Sequence, residues 1–473
     1  MNASTTFNRK AIVGILLAAS FVSILNQTLL IIAIPPIMAD FQIDANQAQW
    51  LTTGFMLTNG ILIPITAFLM DKFSSKNLLM AALLFFSAGT FLGAIAPTFS
   101  VLLIGRIVQA AGAGIMMPLM QTILMSLYPP EKRGAAMGMA GLVTGFAPAI
   151  GPTLSGWIIG QFSWRYLFYI ILPIALVILV LSFFIMKNVT EQKEAKIDIT
   201  SIILSSFGWG GLLYGFSMAG SYGWMNSVVI GSIIVGGVSL YLFIKRQLSL
   251  EIPILEFRVF QSKIFVITTI LSTLVFAIMV GVQTLLPLYV QNVKGASPLD
   301  SGLILLPGAL LMGLMSPVTG KFFDKFGGRM LAITGYGLIL LSMILFTLLQ
   351  MDSPLLLLSL FFVIMMLGIS MIMMPMTTAG INSLHPRLIG HGTAMNNTIR
   401  MVGGSIGTAL LISVMSTVST NVSSGSSSEA MLIGIKVAFA AAAVMALIGF
   451  ILSFNLKDKN VNGSTGQGSS SVV

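Results

Sequence analysis

The chain has 473 residues, 56% of them hydrophobic and 8% charged, with a formal charge of +10 at pH 7, no cysteine, and His385 and His391 as its only histidines. This composition excludes a soluble globular domain, disulfide or thiol chemistry, and a histidine or cysteine metal cage. The cationic excess does not mark a nucleic-acid binder, because its placement follows membrane topology.

Apolar stretches long enough to cross a hydrocarbon core, about twenty residues each, recur from end to end. They predict fourteen spans: 11–33, 48–70, 78–96, 101–126, 134–159, 164–186, 199–219, 227–246, 264–290, 299–321, 330–350, 353–377, 393–417 and 430–455. The first is too long for a signal-peptide core and has no small-residue cleavage site, so it counts as a span. One set of alternate loops, taken with both termini, holds 19 of the 24 cations; the opposite loops hold only Arg165 and Lys294, and Arg106, Arg400 and Lys436 fall within spans. The positive-inside rule then puts both termini in the cytoplasm. The polar stretch 418–429 and the tail 460–473 read as flexible and without a role.

In chain order, spans 1 and 2 carry uncharged hydrogen-bonding groups: Asn26, Gln27 and Asn59. The loop after span 2, AFLMDKFSSKNLL (67–79), places Asp71 with Lys72 and Lys76 at a helix exit. On span 4, Arg106 and Gln109 lie one turn apart. A buried arginine costs at least about 2.5 to 3.5 kcal/mol on the insertion scale, so Arg106 either faces a polar cavity or snorkels to the outer interface. Span 5 opens GLVTGFAPAIGPTLSGW, with Gly141, Gly145, Pro148, Gly151, Pro152 and Gly156. In water this would read as loop; in a bundle it predicts a kinked helix with one smooth face for close packing. After span 10 comes GKFFDKFGGRMLA (320–332), with Asp324, Lys325 and Arg329. Met116, Met117 and Met120, and the group Met365, Met366, Met371, Met373, Met374 and Met376, read either as an adaptable apolar lining or as core filler. Span 13 adds Asn396, Asn397 and Arg400 on one polar face.

The loops 67–79 and 320–332 share small-x-x-x-Asp-Lys-Phe-x-x-basic, at a distance that fits two six-helix halves separated by two extra helices. The predicted organisation is a half over 1–190, a linking pair over 191–262, a second half over 263–456 and a disordered tail over 457–473. Parallel halves of this kind are a transporter architecture. Each paired aspartate is either solvated topology or a bond across the half interface to a cation or a helix N terminus, made in one state only.

These loops resemble the cytoplasmic loop of the major facilitator superfamily, and the fourteen-span layout resembles its drug:proton antiporters. WLTTGFMLT (50–58), LLIGRIVQAAGAG (102–114), PPEKRGAAMG (129–138), the opening of span 5, SWRYLFYIILP (163–173) and TAMNNTIRMVGGSIGTAL (393–410) carry the same resemblance. The lincomycin-exporting branch looks nearest. The resemblance implies an all-α membrane protein with the major facilitator fold. It also implies that Arg106 and Gln109 belong to a functional fourth-helix motif, and that Asp71 and Asp324 latch a cytoplasmic gate. The first of these latch loops departs from the family pattern at Ala67, Ser74 and Ser75. Span 5 becomes the antiporter motif, packed against span 13 with its Gly403, Gly404 and Gly407. The expected function is proton-driven export of amphipathic, drug-like small molecules by a monomer in a bacterial plasma membrane, with no cofactor and no metal. A facilitator or metabolite exporter with weak proton coupling is the second reading, because Asn26 and Gln27 stand where relatives carry an acid and all fourteen acids lie in loops or at span ends. An enzyme would need a nucleophile and base at membrane depth, and a channel would need a ring-like filter; neither pattern is present.

Overall fold

The computed structural model describes residues 8–43, 45–190, 192, 198–421 and 427–456. Asp44, Glu191, Lys193, Glu194, Lys196, Lys457, Asp458 and Lys459, part of the polar stretch 418–429 and the whole tail lie outside these residues. The described residues form helices joined by short turns, with no strand: α1 Arg9–Phe41, α2 Ala45–Lys72, α3 Ser75–Ala94, α4 Phe99–Leu127, α5 Arg133–Gln161, α6 Tyr166–Ile185, α7 Ile199–Tyr222, α8 Ser227–Ser249, α9 Lys263–Leu288, α10 Pro298–Phe326, α11 Gly328–Thr347, α12 Leu355–Asn382, α13 Ile389–Asn421 and α14 Ser427–Ser453. Fourteen helices among the described residues are long and apolar enough to cross a membrane.

Local chemistry sets the ends. The side chains of Ser74, Thr98, Asp198 and Ser262 accept from backbone N–H groups of the first turns of α3, α4, α7 and α9, and Ser297 with Asp300 forms a reciprocal capping box on α10. α10 stops at Gly327, whose φ of 82° suits glycine. The first helix runs past its predicted end. Pro35 and Pro36 lie inside it, and it closes only at Gln42, which takes a left-handed φ of 53°. Prolines mark a stop in water, but a helix in a membrane bundle tolerates them because neighbouring groups can satisfy the carbonyls they free.

Two apolar clusters organise the bundle, one drawn almost wholly from α1–α6 and one from α9–α14. Between them, α7 and α8 pack on each other through Gly211 and Gly236, and α7 also lies against α2 and α13. α8 turns Val228, Ile234, Val235, Val238, Tyr241 and Leu242 outward, as a lipid solvent allows.

The two halves meet mainly through α5 on α10 and α2 on α13, with α4 touching α13 and α5 touching α12. This corrects the expectation that span 5 packs on span 13. A pseudo-twofold axis between the halves carries α5 onto α13 and α10 onto α2. Equivalent helices therefore stand diagonally across the axis, and the contact α5–α10 is mirrored by α2–α13. The span 13 glycines serve α9 instead: side chains added at Gly403, Gly404 and Gly407 would meet Thr273, Phe276 and Ala277.

Candidate functional site

Gly134, Gly138, Gly141 and Gly145 recur every three to four residues and so fall on one stripe of α5. A Cβ at Gly138 would meet the Ser316 carbonyl oxygen at 2.6 Å, one at Gly141 the Ser316 Cβ at 2.6 Å, and one at Gly145 the Gly313 Cα at 2.6 Å. At Gly134 it would strike the Gly320 carbonyl oxygen. Helix backbones meet here with no room for a methyl group. The predicted smooth face divides. Gly151 turns to Thr28 on α1, whose hydroxyl donates at 3.4 Å to the Ala147 carbonyl, and Gly156 faces open space. Six residues separate Gly145 from Gly151, a rotation that leaves the stripe. Pro148 and Pro152 are half-buried within the continuous helix.

Where this seam ends on the face carrying the two acidic loops, hereafter the basic face, Asp324 reaches across it. Its Oδ1 accepts from the Gly134 N–H at 2.7 Å and its Oδ2 from the Ala135 N–H at 2.8 Å. These are among the first, unsatisfied donors of α5, at the positive end of its dipole. Beside them Arg133 donates from Nη1 to Asn382 Oδ1 at 2.9 Å, again between halves, and from Nε to the Tyr128 carbonyl at 3.1 Å.

At the other seam Asp71 Oδ2 lies 3.2 Å from His391 Nε2 near the start of α13. The Glu256 backbone N–H, in the segment leading from α8, points at His391 Nδ1 at 3.3 Å. A backbone N–H only donates, so Nδ1 accepts, and in the neutral ring the proton sits on Nε2 and faces Asp71. The Glu256 carboxylate turns back onto Arg258. Three cations of the two loops make contacts within their own halves: Lys72 lies near the Phe68 and Phe73 rings, Lys76 donates to the Phe183 carbonyl at 2.7 Å, and Lys325 lies over Phe326. Arg329 is engaged in a contact of its own.

At membrane depth Arg106 is 1% exposed, so it does not snorkel. Its Nη1 donates to Gln109 Oε1 at 2.6 Å, Gln109 Nε2 donates to Thr90 Oγ1 at 2.8 Å, and the guanidinium stands 4.2 Å from the Phe55 ring centre. Arg400, also buried, donates to Asn397 Oδ1 at 2.7 Å, and Asn397 Nδ2 donates across the halves to Gln121 Oε1 at 2.6 Å. Asn396 accepts from Ser272 at 3.0 Å. Among the described residues Asn26 Nδ2 and Asn59 Oδ1 are buried without a partner, and Gln27 is half-buried. Met116, Met120, Met365, Met366, Met373, Met374 and Met376 lie in the apolar clusters.

Outside the spans, Asp198 clamps α7 to α8 through Arg246, at 2.7 Å from Nε and 3.1 Å from Nη2. Those hydrogen bonds hold its carboxyl down to about 2. On the opposite face, hydrogen bonds from Arg165 and then Trp164 hold Asp40 below the usual carboxylate range.

Sequence reasoning missed Gly134 and Gly138, although they continue the glycine spacing of span 5, and it missed Gln121, the second amide of α4 after Gln109. His391 carries no local signal, since only the fold brings α13 to Asp71.

Two helical halves that meet along two seams, one of them glycine-tight and each crossed by an acidic side chain on one face, define a secondary transporter. The chain belongs to the Major Facilitator Superfamily, whose profile matches residues 16–408. It is 60% identical to the uncharacterized MFS-type transporter YcnB of Bacillus subtilis, over 95% of this chain and 96% of that one. It is 40% identical to the lincomycin resistance protein LmrB of the same organism, over 94% and 95% of the two chains. The solved human organic anion transporter MFSD10 shares the fold, with a TM-score of 0.69 at 12% identity over 94% of this chain and 99% of that one.

Proposed function

We propose that this transporter exports amphipathic organic compounds from a bacterial cytoplasm by alternating access, driven by proton influx. The basic face is the cytoplasmic one, with both termini there, and the arrangement described is the state closed to the cytoplasm. The halves over 1–190 and 263–456 rock about the seams, with 191–262 riding between them. The observation that carries this reading is Asp324 spanning the α5–α10 seam onto two backbone donors. Such a bond breaks when the cytoplasmic side opens and re-forms when it closes. The 40% identical lincomycin resistance protein supports the direction and the kind of cargo. The test is a compound panel, lincomycin included, given to an efflux-deficient host expressing the chain, with and without an uncoupler. Resistance that the uncoupler abolishes supports the proposal; no resistance to any compound sinks it.

A facilitator with weak coupling is favoured by one observation: α1 places Asn26 and Gln27, neither of which titrates, at membrane depth. Gln27 has the shape of a protonated glutamic acid, so the chain rests in a proton-loaded form. Gln27→Glu then makes transport depend far more steeply on the pH gradient, measured as uptake into everted vesicles with the membrane potential collapsed. Strong uphill uptake by the unaltered chain, unchanged by the substitution, places the proton site elsewhere.

A further inference from the structure

The polar chain between α13 and α4 is incomplete in a directed way. A guanidinium only donates and keeps its proton at any biological pH, so the atom of Asn397 that Arg400 meets is the amide oxygen. That orientation turns the Asn397 NH2 towards Gln121, which must answer with its own oxygen. Among the described residues the Gln121 NH2 is then left over, buried and without an acceptor, as is Arg400 Nη1. Both atoms flank one amide. Arg400 is 4% exposed and Gln121 0%, so water does not reach them freely. Among the described residues no carboxylate lies within ion-pair distance of Arg400. Among these residues its charge is met by a neutral amide and by the Phe276 ring at 5.2 Å. A buried cation with spare donors beside it and no counter-ion is costly on its own. It is favourable once an acceptor-rich anion arrives.

We propose that Arg400 and Gln121 bind the acidic group of the cargo, and that the chain therefore takes amphipaths bearing a carboxylate, sulfonate or acidic phenol. Phe276 supplies the apolar surface beside the charge. This rests on the export reading above and deepens it, because it assigns the charge of the cargo. The Asn397–Gln121 bond joins the two halves, so an anion held here touches both and is sensed by both.

The test compares two xanthene dyes of similar frame and opposite charge, fluorescein and rhodamine 123, by fluorescence anisotropy with the purified full chain in lipid nanodiscs. The unaltered chain binds fluorescein. In Arg400→Gln the ratio of fluorescein to rhodamine affinity falls by about tenfold to a hundredfold, the range for a hydrogen bond to a charged group, and Arg400→Lys recovers part of it. Gln121→Leu leaves Asn397 its bond to the Thr393 carbonyl and lowers the same ratio, so the test survives if Arg400→Gln does not fold. No fluorescein binding by the unaltered chain, or a ratio unmoved in both variants, overturns the site. Uptake of rhodamine 123 into everted vesicles reports on export separately. Uptake with no Arg400-dependent fluorescein binding removes only the anion site; Arg400-dependent binding with no uptake of either dye removes only the export reading.

Discussion

The α5–α10 and α2–α13 seams occupy equivalent places about the pseudo-twofold axis, yet they close by different chemistry. The first is backbone against backbone: Gly134 on Gly320, Gly145 on Gly313, and Asp324 on two main-chain amides. The second closes with side chains, Asp71 on His391, and has α7 packed beside both of its helices. A backbone seam has no rotamers to adjust, so it is stiff and intolerant of added volume. A side-chain seam can be re-formed with different partners. Of the first loop's departures from the family pattern, Ala67 packs at the adjustable seam with Ala394 and Met395, whereas Ser74 caps α3 and Ser75 bonds to Asn188 within the first half.

The sharpest way to break this contrast is volume. Gly145→Leu at the backbone seam abolishes vesicle uptake while the protein still reaches the membrane, whereas Gly151→Leu, which faces Thr28 within one half, lowers the amount of folded protein instead. Membrane abundance and uptake per molecule separate the two, and full uptake by Gly145→Leu removes the rigid-seam reading. A smaller effect comes from the acids. With a single reporter Thr122→Cys in this cysteine-free chain, labelling from the basic face rises about tenfold in Asp324→Asn, which loses a charge-assisted pair of bonds, and less in Asp71→Asn, whose seam has other side-chain contacts. Equal labelling of both variants and the parent removes the latch; a larger rise in Asp71→Asn reverses the ranking.

The smallest effect is expected behind the adjustable seam, at the Asp198–Arg246 clamp. The Asp198 carboxyl is held down to about 2 in the folded chain, below the unperturbed value of about 3.9. A depressed folded value contributes stability above the unfolded one, and that contribution disappears as pH falls towards 2. Asp198→Asn therefore lowers the thermal midpoint of the purified protein slightly at pH 7 and progressively less below about pH 4. A difference that persists undiminished at pH 2.5 would show that the clamp works through shape and not charge.

The fourteen spans, the face holding the cations and the two acidic loops could be read from the chain because each is a local property: a run of apolar residues, a count, a repeated spacing. The partner of α5 could not. Its glycines announce a close neighbour without naming it, and only the placement of the axis decides between α10 and α13. Arg106 was ambiguous for the same reason. Its depth along α4 was legible, but the Phe55 ring and the Gln109–Thr90 chain that settle its burial come from three helices. The length of α1 was misjudged because Pro35 and Pro36 carry a solvent-dependent meaning. At the Arg400 site the sequence displayed Asn396, Asn397 and Arg400, but the leftover donors are set side by side only once α4 lies against α13.

The bare stripe on α5 also dictates an order of events during synthesis. Ribosomes deliver α5 long before α10, and through that interval a helix made for backbone contact faces lipid with nothing to fill its groove. The pair α7–α8, clipped by Asp198 and Arg246, emerges next and needs no later helix to form that clip. The amides of Gly134 and Ala135 wait for a carboxylate made five helices later, so the newborn first half is a receptor for the second. Truncation after α8 would leave that receptor empty, a membrane-embedded surface open to the tenth helix of any copy of the chain that supplies one.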